Sequence, residues 1–376
     1  MFSIHIDTAR TWRGGQNQVL LVVLGLRARG HRAVLVANQG GELRRRAAEG
    51  LDVIPLAPRT EMDLGTAWQL SRVLRRLRPD IVHAHEAHAV AMAALALSFG
   101  SPEPRPRLVT SRRVDFHLKK NAFSRWKYRQ VDCFLCASSM IQSMLVSDGV
   151  PRERTAVVYS GIDVSHVAAA PPLNVHAEFW LPTHAPVIGN VAALVPHKGQ
   201  RHLIDAAPLV IREIPDARFV IVGQGELESA LQKQIRNHRL ERKVILAGFR
   251  PDVLSLHKGF DVFVMSSVTE GLGTSLLDAM ASARPVVATR TGGIPEVVED
   301  GETGLLVPPR NPQALAHAIV RLLRDEPLRQ RMAAAGLARV SAHFSADRMV
   351  QQTLDVYARL VDRRRAAGTA HLVAGG

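Results

Sequence analysis

The segment SSVTEGLGTSLLDAMASARPVVATRTGGIPEVVEDGETGLLVPP, residues 266–309, decides how this chain folds. A strand-like run, DVFVMSS, leads into it and ends near Met265. A loop follows, then a helix beginning near Gly273 or Thr274, then the apolar run RPVVATR. Strand, helix and strand in succession are the repeating parts of a parallel sheet covered by helices. The main-chain N–H groups of Gly271, Leu272 and Gly273 stand at the start of that helix, where free hydrogen-bond donors and the helix dipole favour an anion. The two glycines let the backbone approach a ligand closely. Glu270 sits in the loop and Asp278 about one turn into the helix, so hydroxyl-accepting carboxylates flank a nest suited to phosphate.

The same alternation extends outward. PVIGNVAAL, ARFVIVGQ and KVILAGF read as buried strands between amphipathic segments. Nearer the N-terminus SIHIDT, AVLVAN, DVIPL, IVHAH, RLVTS, VDCFLCAS and AVVYSG do likewise. The pattern breaks between residues 164 and 186, where several prolines and the lack of a period mark a link. The expected architecture is α/β, with two Rossmann-like domains, residues 1–165 and 186–345, facing across an interdomain cleft. Ligands of open α/β sheets bind at the carboxyl ends of the strands. PQALAHAIVRLLRD and PLRQRMAAAGLARVSAHF read as helices, and an amphipathic stretch over about residues 346–364 is expected to pack back on the first domain. The last dozen residues, RAAGTAHLVAGG, read as a frayed tail.

A chain of 376 residues has room for two cores, and 47% hydrophobic with 22% charged residues is a globular composition rather than a disordered one. The longest apolar candidate, residues 87–99, is well short of the ~20 residues a membrane-spanning helix needs. No basic flank precedes an apolar run at the N-terminus, so the expected compartment is the cytoplasm. Cys133 and Cys136 form a C-x-x-C, but on a strand they point to opposite faces and read as packing residues. The formal net charge of +14 favours anionic partners such as phosphates, lipid headgroups or nucleic acid. The first 170 residues hold 24 Lys and Arg against 14 Asp and Glu, so the excess lies in the N-terminal half.

With these residues in view, the chain resembles the retaining glycosyltransferases of the GT-B fold, family 4, also described as glycosyl transferases group 1. Their pattern has two acids eight positions apart, an A-M-A run, P-V-V-A and a G-G-x-x-E loop. Glu270 matches the acid that contacts the transferred sugar; Asp278 stands where a glutamate holds the ribose; Gly292, Gly293 and Glu296 match the later loop. Gly14 and Gly15 match a glycine loop that comes close to the phosphates of the sugar donor, and DIVHAHE and SGID are further landmarks. VAALVPHKG resembles the segment with a basic pair for the diphosphate: Lys198 matches its lysine, but Ala193 replaces its arginine. Arg201 or an arginine of the first domain is then expected to complete the phosphate site. Gly223, Phe249 and Arg250 match the region that binds the base, and Gly271 to Thr274 the loop that binds the diphosphate. The resemblance implies sugar transfer from a nucleotide-diphosphate sugar to an acceptor hydroxyl, with retention and without a metal or other cofactor.

Three further features bear on the acceptor. His83, His85 and His88 form H-x-H-x-x-H, and on a strand the first two share a face. Only the adjacent Glu86 extends this set, so no metal is expected; His85 is instead placed with Glu270 and Lys198 among the candidate catalytic residues, positioning acceptor or sugar. Where the family often has a histidine, this chain has Arg112 and Arg113, which suit a phosphate or carboxylate through bidentate contact. HLKKNAFSRWKYRQ, residues 117–130, interleaves bases with aromatics, which fits either an anionic membrane surface or a solvated helix with its aromatics on the core. The expected acceptor is a phosphorylated or lipid-linked saccharide of the cell envelope, such as a lipopolysaccharide core, met at the inner face of the cell membrane. The alternatives are a nucleotide-sugar epimerase of the same fold, which makes product without acceptor, and a nucleic-acid-binding protein, for which no recognition motif is visible. A nicotinamide oxidoreductase would need G-x-G-x-x-G after the first strand, which Gly14-Gly15 does not supply.

Overall fold

The computed structural model describes residues 1–47 and 50–373, with side chains through Arg363. Internal contacts divide it into two units, one formed by Met1–Gly161 with the chain from Ala346 onward, the other by Ile162–Ser345.

The first unit holds seven strands: β1 (Phe2–Asp7), β2 (Arg32–Ala37), β3 (Val53–Pro55), β4 (Ile81–Ala84), β5 (Arg107–Arg112), β6 (Cys133–Cys136) and β7 (Thr155–Val157). They are ordered β3-β2-β1-β4-β5-β6-β7, all parallel. The second holds β8 (Val187–Val191), β9 (Arg218–Val222), β10 (Val244–Leu246), β11 (Val262–Met265), β12 (Val286–Thr289) and β13 (Leu305–Val307), ordered β10-β9-β8-β11-β12-β13 and again parallel. In each sheet the strand order reverses beside the first strand, between β1 and β4 and between β8 and β11. These are the topological switch points, outside whose carboxyl ends such sheets bind ligands.

Helices cover both faces, so the strands are near-continuous apolar runs; β4, β6, β9, β11 and β12 are buried throughout. Alternation sorts their side chains between two cores. Ile4, Ile6, Val82, Leu108, Phe134 and Cys136 share one cluster, while Leu35, Ile81, Val109, Cys133 and Leu135 share the other. Cys133 and Cys136 thus lie on opposite faces, both free and buried, and burial pushes their thiols up to about 11 and about 12.

The C-terminal helix Ala346–Val373 lies on the first unit, where Met349, Val350, Tyr357 and Val361 join the cluster of Val19, Val22 and Leu26 from the helix Gly14–Ala28. A Cβ at Gly25 would meet Val350 Cγ2 at 2.5 Å, so glycine there sets how closely the two helices approach. This helix continues beyond the expected end at residue 364, through most of the stretch read as a tail; residues 374–376 lie outside the described residues.

Two other expectations are corrected. Residues 164–186 are not a bare link but fold with the second unit, which begins at Ile162. They form the helices Val164–Ala169 and Val175–Glu178, capped by Asp163 and Asn174, which accept from the N–H of His166 and Ala177. Helices of one or two turns are too short to show a period, so only their caps were available as signals. The second sheet also has a sixth strand, β13, whose three residues run directly into Pro308 and Pro309.

Candidate active site

At the switch point of the second sheet, the loops after β8 and β11 meet. The turn Pro196–Lys198 ends at Gly199, whose φ of +65° and whose approach to Ser266 (a Cβ would lie 2.2 Å from its carbonyl oxygen) both require glycine. His197 O accepts from Val268 N at 2.7 Å and Ser266 Oγ donates to Lys198 O at 3.2 Å, so the turn and the loop after β11 are one bonded structure. Across it Lys198 Nζ donates to Glu270 Oε2 at 2.5 Å, and Ser267 Oγ donates to the same oxygen at 3.1 Å. Glu270 is only 9% exposed. The Thr291–Gly293 turn supports it from behind: Gly293 N donates to Glu270 O, and a Cβ on Gly292 (φ +54°) would stand 1.8 Å from that oxygen. Gly292 and Gly293 therefore hold Glu270 in place, while Glu296 lies in the short helix Ile294–Val297 beyond them.

The helix Thr274–Ala281 starts where expected, with Gly273 as its N-cap at φ +93° and no capping side chain. Gly271, Leu272 and Gly273 are buried, and their N–H groups donate no hydrogen bond among the described residues. Buried main-chain N–H groups are otherwise nearly always paired, so this nest is a ready receptor for an anion. The Asp278 carboxyl likewise makes no hydrogen bond to a described residue, and burial raises it to about 7. Gly223, at the carboxyl end of β9, has φ +143° and packs against Ala192, with a Cβ placed 1.9 Å from its carbonyl oxygen. Phe249 is half exposed.

Two expected contacts fare differently. Arg250 is not a free cation: it pairs with Asp252 at 2.7 Å and with Glu178, which clamps the segment after Ile162 to the end of β10. Arg201 is exposed on the helix Gln200–Glu213, and no bond joins it to Lys198 or Glu270.

The first unit builds a second polar centre, at the switch point between β1 and β4. Parallel register sets His5 beside His83, and His85 follows at the end of β4. The three rings are buried, with donor atoms all within 4.8 Å of one another. His5 Nδ1 and His85 Nε2 are 3.0 Å apart, and His5 Nε2 lies 3.0 Å from Ser3 Oγ. His83 bonds Tyr357 Oη at 2.6 Å through Nδ1 and Ser111 Oγ at 2.8 Å through Nε2. Arg113, just past β5, places both terminal guanidinium nitrogens 3.3 Å from His85 Nδ1. Every ring nitrogen of the trio has a protein partner, and burial with the Arg113 charge lowers all three pKa values. His88 is not in this cluster; it is exposed, 3.9 Å from Glu61. His5 and Tyr357 went unrecognised in the sequence, because only strand register and the returning helix bring them here.

Gly14 and Gly15 open the helix Gly14–Ala28, and a Cβ on Gly15 would meet nothing within 4 Å. Arg112 donates to Phe116 O, and its buried Nε has no partner among the described residues. In the basic segment, Lys127 is buried and bonded to Glu61 and Ala87 O, while Trp126 and Tyr128 pack on the core. Lys119, Lys120, Arg125 and Arg129 instead line a pocket of about 330 Å3 with Tyr128 and Phe134.

Two doubly wound parallel sheets with these switch-point centres define the GT-B class of fold. The Anabaena HepE structure in complex with UDP and glucose has it too, superposing with a TM-score of 0.81 at 23% identity over 95% of this chain and 99% of that one. Residues 12–166 match the profile described as Glycosyltransferase Family 4, and residues 175–339 the profile described as Glycosyl transferases group 1. The chain belongs to the family 4 glycosyltransferases of the GT-B fold. Relatives include the lipopolysaccharide core biosynthesis glycosyltransferase LpsE of Rhizobium meliloti, 28% identical over 77% of this chain and 79% of that protein. The N-acetyl-alpha-D-glucosaminyl L-malate synthase of Bacillus anthracis is 25% identical over 78% of each. No helix among the described residues is long and apolar enough to cross a membrane.

Proposed function

We propose that this glycosyltransferase takes a hexose or related sugar from a nucleotide-diphosphate sugar held by the second unit and passes it, with retention, to a hydroxyl of an anionic saccharide held by the first. The observation that carries this reading is the Lys198–Glu270 pair beside the undonated N–H groups of Gly271–Gly273 at the β8–β11 switch point. A diphosphate leaving group gathers negative charge as the bond to the sugar breaks. Preorganised amides and a cation next to it lower that barrier without reorganising. Lys198 would then shift from Glu270 to the diphosphate, freeing Glu270 for the sugar, while the unpartnered Asp278 accepts from ribose hydroxyls. The protein groups supply the positive charge, so the reaction needs no metal: EDTA should leave turnover unchanged, and dependence on added Mg2+ would overturn this part.

Names of the relatives support the substrates. The HepE structures contain UDP or UDP-glucose, and LpsE acts in lipopolysaccharide core biosynthesis, which favours a nucleotide sugar and an envelope glycan here. The bases Lys119, Lys120, Arg125 and Arg129 around the 330 Å3 pocket support peripheral contact with the anionic inner face of the cell membrane.

The test is a thermal-shift screen with UDP, GDP, ADP and their sugars. A true ligand at 100 times its Kd stabilises by about 2.7 kcal/mol. Glu270→Ala should lower transfer by about 100-fold or more while the variant remains folded. Absence of any nucleotide response, or near-normal turnover in Glu270→Ala, would refute the assignment. Product formed without acceptor would point to epimerisation instead.

A further inference from the structure

We propose that Arg113 is the residue with which the first unit grips the anionic group of its substrate, a phosphate or carboxylate carried near a hydroxyl. Its departure from His85 then presents the His85 Nδ1 lone pair to that hydroxyl. This rests on the reading of the first unit as the acceptor-binding half.

Hydrogen-bond chemistry sets the direction. A guanidinium only donates, so His85 Nδ1, 3.3 Å from two of its nitrogens, must be the acceptor and the His85 proton must sit on Nε2. That Nε2–H donates to His5 Nδ1 at 3.0 Å, which leaves the His5 proton on Nε2, donating to Ser3 Oγ at 3.0 Å. Arg113, His85, His5 and Ser3 therefore form one polarised chain with a single allowed arrangement of protons. Without the cation at its end, an imidazole pair could carry its protons in either direction.

Charge balance explains why the cation is available. Arg113 is half-buried at the carboxyl end of β5, and among the described residues no carboxylate pairs with it. The acid in its field, Asp7, is engaged elsewhere, accepting from Ala9 N and Gln16 Nε2. A neutral imidazole is a poor partner for a desolvated guanidinium, whereas a phosphate or carboxylate offers two oxygens to its fork. When such a group draws Arg113 away, the neighbouring hydroxyl takes its place as donor to Nδ1, so the His85 proton stays on Nε2 and its bond to His5 is kept. His85 thereby acts as a positioning residue through its lone pair; its burial makes it a poor proton store.

The experiment uses the full chain with 15N-labelled histidine, assigned through His5→Gln and His85→Gln. In the unliganded protein both His5 and His85 should be protonated on Nε2. Glucose 6-phosphate or glucuronate, the phosphate and carboxylate probes, should move the His85 Nδ1 resonance, whereas glucose should not. Arg113→Gln should weaken that response about tenfold or more and leave the UDP-induced thermal shift unchanged. A proton on His85 Nδ1 in the free protein, or no response to either anionic probe, overturns the proposal. Loss of the UDP response in the wild type would instead sink the nucleotide-sugar reading, so the two failures are distinguishable.

Discussion

His257 lies fully buried against Phe260 and Phe263, and neither ring nitrogen has a hydrogen-bond partner among the described residues. Burial lowers its pKa to about 3. Below pH 6.5 the unfolded chain takes up a proton that the folded ring refuses, so stability falls with pH from about 6.5 towards 3. His257→Leu removes two unsatisfied polar atoms and should raise stability at pH 7 by about 1 kcal/mol or more, and it should flatten this acid limb in urea titrations. Asp278 works in the opposite sense. Its raised pKa means that the unfolded chain loses its proton first, so stability falls as pH climbs from about 3.8 to about 7. Ionised Asp278 is the better acceptor for ribose hydroxyls, so affinity for the nucleotide sugar should rise across pH 7. Asp278→Asn should abolish that rise when binding is followed by calorimetry. Glu270, Lys198 and Asp278 were legible as residues because their motif is contiguous or strongly spaced. His5 and Tyr357 were not, because no local pattern ties a residue of the first strand to one of the last helix.

Single elements make sharper tests of the glycine loops. Gly292→Ala forces a Cβ into Glu270 O at a positive φ, so it should cost about 1–3 kcal/mol and displace Glu270, removing the nucleotide-induced thermal shift. Gly15→Ala meets open space, so it should leave stability within about 0.5 kcal/mol and lower turnover only if the phosphates pass over that helix start. Of the strands, twelve were readable as apolar runs, since strands buried on both faces leave an unbroken signature. β13, which runs straight into two prolines, the one- and two-turn helices after Ile162, too short to show a period, and the full length of the last helix, which lacks a terminating signal, were not. The basic helix Ala122–Arg129 divided between its two readings: Lys127 and the aromatics turn inward, while Arg125 and Arg129 stay on the surface.

The whole molecule couples its two ends in one unit. Met349, Val350, Leu354, Val356, Tyr357 and Val361 are all buried against the N-terminal sheet and its first helix. Each such side chain contributes about 1.5–3 kcal/mol by burial, and their sum rivals the total stability of an ordinary domain. A chain ending at Ser345 should therefore lose the unfolding transition of the first unit in calorimetry and keep that of the second, whose core is complete within Ile162–Ser345. The ribosome meets this arrangement in order of synthesis. Nascent chains commonly complete their leading domain first, at about 5–20 residues per second. Here the leading sheet lacks its closing helix until the whole second unit has been made, so the domain made second is the one able to finish first. Through that interval the apolar face of Val19, Val22 and Leu26 has no cover of its own, which makes the newborn N-terminal half a natural client for a chaperone until its last helix emerges.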